Sequence, residues 1–276
     1  DGGDELFGGY NRYIHGEMLW RKISTLPISI RRILGAVLLK IPEFTWDKVG
    51  STYNLIRSGG SGISNLGSKV HRLGERLRLI ENLDDLHRNM VSTWIEPEKL
   101  FINNVSEPAS QIEDNLPNFG IDNFAMRMMV KDIRSYLPDD ILCKVDRAAM
   151  GVSLETRTPF LDPDVISLSS RLPIDMKIRN GQGKWILRQV LYRHVPSNII
   201  DRPKTGFAIP IALWLRGPLR DWGEDLLSSK RLTEDGLFKA EVIHKMWREH
   251  LSGKLDRSAM LWAILMFQSW RTVQKK

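Results

Sequence analysis

Cysteine is all but missing: Cys143 is the single one among 276 residues. That excludes an intrachain disulfide and a thiolate metal cage, and a reducing cytoplasm is the simplest setting. Long apolar runs are missing too. The longest, AMLWAILMF at 259–267, falls far short of the roughly 20 residues a membrane span requires. No apolar segment with a basic flank opens the chain, so no signal peptide is expected. The six histidines show only generic helical separations, not metal-ligand spacing. The basic run KVHRLGERLRL at 69–79 has no aromatic platform beside it, so it reads as a solvated helix face rather than a nucleic-acid surface.

What is present is helix-forming and bulky. Apolar residues make up 42% of the chain, with nine tryptophans and ten methionines, which suits large buried surfaces. The net charge of +7 is spread along the sequence. It fits an anionic small ligand or weak polyanion contact, and it equally fits no charged partner at all.

Apolar spacing of three and four predicts helices over 4–24, 28–40, 43–57, 63–80, 82–94 and 121–137. Pro138 and Asp139 are expected to end the last of these and start another over 139–150. VSLETRTPFLD at 152–162 reads as extended or looped, because Pro159 blocks a helix there. Further helices are expected over 163–170, 182–194, 208–215, 218–228, 239–252 and 257–272. RSGGSG at 57–62 reads as a loop, and 103–118 as a long polar connection and the best boundary candidate. Convincing strands and fixed-period repeats are lacking. Cys143 falls on a helix stripe near Ile141 and Val145, where a small buried residue is expected.

The chain opens on DGGDELFGGY, three carboxylates and four glycines within its first nine residues. Glycines permit positive φ and a close backbone approach by a ligand. A carboxylate beside such a turn can hold Mg²⁺, which prefers one or two carboxylates together with phosphate oxygens and water. A helix starting near Asp4 would turn its N–H groups to the same spot. A helix cap and a simple turn account for the same residues.

DGGDELFGGY resembles a motif of the synthetase domain in the glutamine-dependent asparagine synthetase family. YLPDDILCKVDRAAMGVSLETRTPFLD at 136–162 and GKWILRQVLYRHVPSNIIDRPKTGFAIP at 183–210 resemble that family's later signatures, in the same order. Residues 20–120 match only in helical character. The resemblance implies a mainly α, multi-helical piece, residues 1–276, that completes an α/β adenine-nucleotide α-hydrolase-like synthetase domain. The upstream Ser-Gly-Gly-x-Asp-Ser ATP loop and the N-terminal glutaminase domain are expected to lie outside this chain. Ser58-Gly59-Gly60-Ser61 imitates that loop but follows no apolar strand and precedes no Asp-Ser pair, so it reads as a flexible connection.

The resemblance implies an ATP- and Mg²⁺-dependent ligase that adenylates the side-chain carboxylate of aspartate and amidates it with glutamine-derived ammonia. Asp4 matches the family's aspartate for Mg²⁺ and pyrophosphate. Asp1 matches a carboxylate, usually Glu, that serves as a base toward ammonia. Gly2 and Gly3 shape the turn, and Glu5 is a candidate to assist the metal or bind an acceptor amino group. Lys184 matches a lysine that contacts the pyrophosphate, and the helix dipole disfavours it there unless an anion is present. Lys144, Asp146, Arg147, Glu155, Arg157 and Asp162 are expected to form an ion-pair network bracing the cleft. Lys204 is a loop residue within reach of a phosphate or simply solvated.

As an isolated piece the chain is expected not to complete catalysis. Two alternatives stay open: amidation or cyclisation of a different carboxylate by a family relative, and a non-catalytic helical module. An apolar face left uncovered would favour a homo-oligomer.

Overall fold

The computed structural model describes residues 1–56, 66–94, 96–103, 105–106, 108, 120–201, 209–253 and 255–274. The architecture is mainly α. Among the described residues the only β-pairing is two isolated bridges, Phe101 with Phe238 and Arg179 with Gln182. In chain order the helices are α1 (Gly3–Phe7), α2 (Asn11–Ser24), α3 (Ile28–Lys40), α4 (Glu43–Ile56), α5 (Leu66–Leu79), α6 (Leu83–Val91), α7 (Phe124–Arg134), α8 (Cys143–Met150) and α9 (Pro163–Arg171). They continue as α10 (Ile174–Lys177), α11 (Trp185–Leu191), α12 (Ser197–Ile200), α13 (Ile211–Arg216), α14 (Arg220–Leu226), α15 (Ser229–Asp235), α16 (Ala240–Leu251) and α17 (Ser258–Gln274). Short 3₁₀ turns span Pro97–Leu100 and Pro159–Leu161, and a π-helix spans Leu137–Leu142.

The helices form two compact units that interleave in sequence. The first comprises Asp1–Pro27, Ile80–Met90 and Ala109–Thr205; the second comprises Ile28–Leu79, Val91–Pro108 and Gly206–Lys276. In the first unit the core is Tyr13, Ile80, Leu86, Phe124, Ala125, Met128 and Met129. Helix α7 supplies four of these at the spacing that buries one helical face. Asn123 starts α7 by accepting the Met126 N–H through its side chain at 3.0 Å. The second unit packs Leu215, Leu232, Ile243, Trp247, Leu261 and Leu265 from α13, α15, α16 and α17.

The expected helices over 28–40 and 43–57 appear with nearly those bounds. Several expectations change. The stripe over 4–24 is two helices, because Gly8 takes a left-handed conformation and stops α1. The helix expected over 139–150 begins two residues earlier, as the π-helix through Pro138, before α8 continues it. The helix expected from 182 starts at Trp185, since the residues before it form a tight turn. Helices α10, α12 and α15 were not anticipated, being too short to show a period. RSGGSG at 57–62 with the loop-like residues 58–61, residues 109–118 of the polar connection, and Lys204 lie outside the described residues.

The ion-pair network expected over 144–162 is not formed. Arg157 pairs with Glu155 at 2.6 Å, both side chains about three-quarters exposed, and donates to the Thr156 carbonyl at 3.0 Å, while Lys144 lies 3.5 Å from Asp140 one turn back. Asp146 and Arg147 are exposed, and Asp162 caps α9 through the Asp164 N–H. These charges lie on a stretch where α8 buries no residue, so burial does not enforce pairing. Cys143 is half-buried rather than enclosed.

Candidate functional site

The site begins with backbone. Gly2 caps α1 at φ 84°, a left-handed conformation open to glycine at little cost. Its neighbours leave no room for a side chain: an added Cβ would lie 2.5 Å from Leu161 Cδ2. Phe160 covers Gly3 and sets its ring edge-on to Phe7 at 5.8 Å. The Pro159–Leu161 turn of the second matched stretch is thereby seated on the start of the first.

The third stretch arrives from the other side of α1. Arg179 and Gln182 exchange backbone hydrogen bonds of 3.0 and 2.9 Å around Asn180-Gly181, both left-handed. That is the hairpin turn an Asn-Gly pair favours. The Arg179 guanidinium stacks 4.0 Å over Trp185 and ties the turn to α11. Gly183 then passes so close to α1 that a Cβ would sit 2.3 Å from the Gly8 carbonyl oxygen. The Lys184 N–H donates to the Phe7 carbonyl at 3.0 Å. Lys184 itself is left-handed, at φ 55°, one of three non-glycine residues with positive φ among those described. Such strain of about 1–3 kcal/mol persists where the surroundings over-determine it.

These constraints bring two candidate residues together. Lys184 Nζ lies 2.9 Å from Asp4 Oδ2, each side chain about one-third exposed. The carboxylate and the ammonium meet beside Gly9, where a Cβ would fall 1.9 Å from Asp4 Oδ1 and 2.4 Å from Lys184 Cε. A cleft of about 200 Å³ opens alongside, lined by Gly9, Asn11, Gly183, Lys184 and Arg188 among others. Arg188 donates to the Gly183 carbonyl at 3.2 Å and pairs with Asp201, which also accepts from Tyr192.

Asp1 is exposed at the start of the chain. Glu5 is 1% exposed and accepts a hydrogen bond from Tyr10 Oη at 2.7 Å. Burial, reinforced by the Glu5 carboxylate, pushes the Tyr10 phenol far above its ordinary range, so it stays a donor.

A polar node beneath α1 was not anticipated. The Arg12 guanidinium stacks 4.0 Å over Tyr10 and pairs with Asp132 at 2.8 Å. Asp132, 1% exposed, also accepts from Tyr13 and lies 3.3 Å from Nε2 of the fully buried His87. Burial alone would raise the Asp132 carboxyl. The His87 hydrogen bond, the Arg12 charge and the Tyr13 hydroxyl outweigh it and hold the group below its usual value. Its sequence signal is position: 125, 128, 129 and 132 share one face of α7, and the last is an aspartate.

Among the described residues no three His, Cys, Asp or Glu side chains gather as a metal cage, and no helix is long and apolar enough to cross a membrane.

The sequence model of a family described as asparagine synthase matches residues 1–272. A putative glutamine-hydrolyzing asparagine synthetase of Mycobacterium bovis is 33% identical over 99% of this chain. The glutamine-hydrolyzing asparagine synthetase 1 of Bacillus subtilis is 26% identical over the same share. The chain spans 38% and 39% of the length of these two relatives. No solved structure matches significantly.

Proposed function

Because the chain belongs to the asparagine synthase family, we propose that it forms part of an ATP-dependent ligase that adenylates the aspartate side-chain carboxylate and transfers glutamine-derived ammonia to it. Asparagine, AMP and pyrophosphate are the products of that reaction. The observation that carries this reading is the 2.9 Å approach of Lys184 Nζ to Asp4 Oδ2, between residues 180 positions apart in the matched stretches.

The donor set suits Mg²⁺ held jointly with phosphate oxygens. Such a site needs one or two carboxylates rather than a protein cage. Asp4 supplies a carboxylate that is partly exposed and kept in place by a neighbouring cation. When bound, the metal neutralises charge building on the leaving diphosphate. Lys184 contributes a second positive charge there, held by the strained cap of α11 and by the Phe7 carbonyl. With a diphosphate present, the ammonium exchanges part of its contact with Asp4 for a phosphate oxygen. Asp1 is the base we assign toward ammonia; its shorter side chain requires the nucleophile within roughly 3 Å.

Aspartate-dependent exchange of pyrophosphate into ATP by the full-length protein tests the reading. Asp4→Asn and Lys184→Met are expected to lower exchange by about 10²–10³-fold. Exchange supported by another carboxylate but not by aspartate reassigns the acceptor. Unchanged exchange in Asp4→Asn removes that residue from the chemistry.

A further inference from the structure

The polar node beneath α1 takes no part in the proposed chemistry, yet a continuous set of contacts connects it to Asp4. α1 is five residues long, far below the length at which a helix holds itself together. It turns into α2 through Gly8 and Gly9, a corner with no side chain to pack. Glycines leave such a corner free unless something closes it. Two hydrogen bonds close this one. The Gly9 N–H donates to the Asp4 carbonyl at 2.8 Å. One residue further out on each side, Tyr10 Oη donates to the Glu5 carboxylate at 2.7 Å.

Both bonds bear on the contact between Asp4 and Lys184, because that contact passes beside Gly9. A Cβ on Gly9 would fall 1.9 Å from Asp4 Oδ1 and 2.4 Å from Lys184 Cε. The corner therefore sets where the carboxylate sits, and a misplacement of about 1 Å in a reacting site is costly.

Tyr10 is held in turn. Its ring carries the Arg12 guanidinium at 4.0 Å and meets the Tyr13 and Tyr136 rings edge-on at 5.6 and 5.8 Å. Arg12 Cζ also lies 5.3 and 5.1 Å from the centres of those two rings. A planar cation among three aromatic rings is fixed in orientation as well as in place. Behind it, the buried Asp132 Oδ2 accepts from Arg12 Nε at 2.9 Å and pairs with Nη2 at 2.8 Å, which stops the guanidinium from turning.

We propose that Arg12 and Tyr10 are positioning residues for Asp4. Asp132 orients Arg12, Arg12 steadies the Tyr10 ring, and the Tyr10 hydroxyl anchors α1 through Glu5, so that the Asp4 carboxylate faces the diphosphate beside Lys184. This rests on the assignment of Asp4 to magnesium pyrophosphate under the proposed function.

Calorimetric titration of the full-length protein with magnesium pyrophosphate tests it. Two variants each cut one link. Tyr10→Phe keeps the ring under Arg12 and loses the hydroxyl, and Arg12→Lys keeps a charge for Asp132 and loses the planar stack. Each should raise the dissociation constant about tenfold and leave the binding stoichiometry unchanged. In pyrophosphate exchange, each should raise the half-saturating magnesium concentration and retain the rate at saturation. A merely structural role would do the reverse: loss of folded protein lowers the stoichiometry and the maximal rate and does not move the dissociation constant. An unchanged dissociation constant in either variant, alongside weakened binding by Asp4→Asn, overturns this inference and leaves the proposed function standing. Wild-type protein that does not bind magnesium pyrophosphate, or binding undiminished in Asp4→Asn, overturns both together.

Discussion

Lys184 reaches Asp4 at 2.9 Å across a backbone step that has no side chain, Gly9. Neither charge is deeply buried, so the pair contributes little stability, about 0–1 kcal/mol after solvent screening. Its geometry depends instead on α1, the Asn180-Gly181 turn and the glycines between them.

Gly9→Ala is therefore expected to damage binding more than folding. The new methyl would lie 1.9 Å from Asp4 Oδ1 and 2.4 Å from Lys184 Cε, both on flexible side chains that can swing away. Stability should fall by about 1–3 kcal/mol in urea unfolding. Affinity for magnesium pyrophosphate, read by calorimetry, should fall at least tenfold, since the two side chains then part. Undiminished affinity would show that their juxtaposition is dispensable.

The strained backbone of Lys184 gives a separate expectation. Lys184→Ala and Lys184→Gly both remove the ammonium, and only the glycine tolerates φ 55° freely. The glycine variant should be more stable than the alanine variant by about 1 kcal/mol. Neither should retain tight diphosphate binding. Equal stabilities would mean that this position relaxes out of the left-handed region once the lysine is gone.

Much of the first unit was legible in sequence, and what was not has a common cause. The stripe of Phe124, Ala125, Met128 and Met129 announces α7 because burial repeats with the helical period. The family resemblance singled out Asp4 and Lys184, yet no local pattern says that residues 180 positions apart meet. That follows from Gly183 packing on Gly8, a tertiary contact. The Asn180-Gly181 turn was readable from its dipeptide, in the stretch left unassigned between the helices expected over 163–170 and 182–194. Asp132 and Gln268 each occupy an apolar stripe position, after Met128 and Met129 in one helix and after Ile264 and Leu265 in the other. A polar residue at such a position is the one sequence sign of a buried polar group. The charges over 144–162 misled in the opposite sense, because apolar neighbours in sequence did not bring burial with them.

Asp132→Asn tests the node that organises α2, α6 and α7. Removing the carboxylate strands the Arg12 guanidinium, whose side chain is 17% exposed, at a cost of about 3–5 kcal/mol. The pH dependence has a definite sign. The folded-state pKa of Asp132 is depressed, so its contribution is present above the unfolded value of about 3.9 and is lost as pH falls through the folded value. Urea unfolding from neutral pH down to about pH 3 should show the stability gap between the wild-type protein and the Asp132→Asn variant narrowing in the acid range. A gap independent of pH would mean that Asp132 does not act through its charge.

His250 supplies the corresponding test in the second unit, in a higher pH range. Its ring is fully buried, with Nε2 3.2 Å from the Ala212 carbonyl and Nδ1 accepting the Arg257 N–H at 3.3 Å. That pairing requires the neutral ring with its proton on Nε2. Burial, with the Arg216 charge beside it, lowers the His250 pKa, and the opposing pull of Asp256 does not restore it. The unfolded chain, titrating near 6.5, then binds more protons than the folded one just below that pH. Stability should consequently be full above about pH 6.5 and decline as pH drops beneath it, levelling off once the folded ring also protonates. His250→Asn cannot titrate and should flatten this step, whatever it does to stability at neutral pH. Thermal unfolding of both proteins between about pH 5 and 8 reads the difference. A step of equal size in the variant would assign the titration to another group.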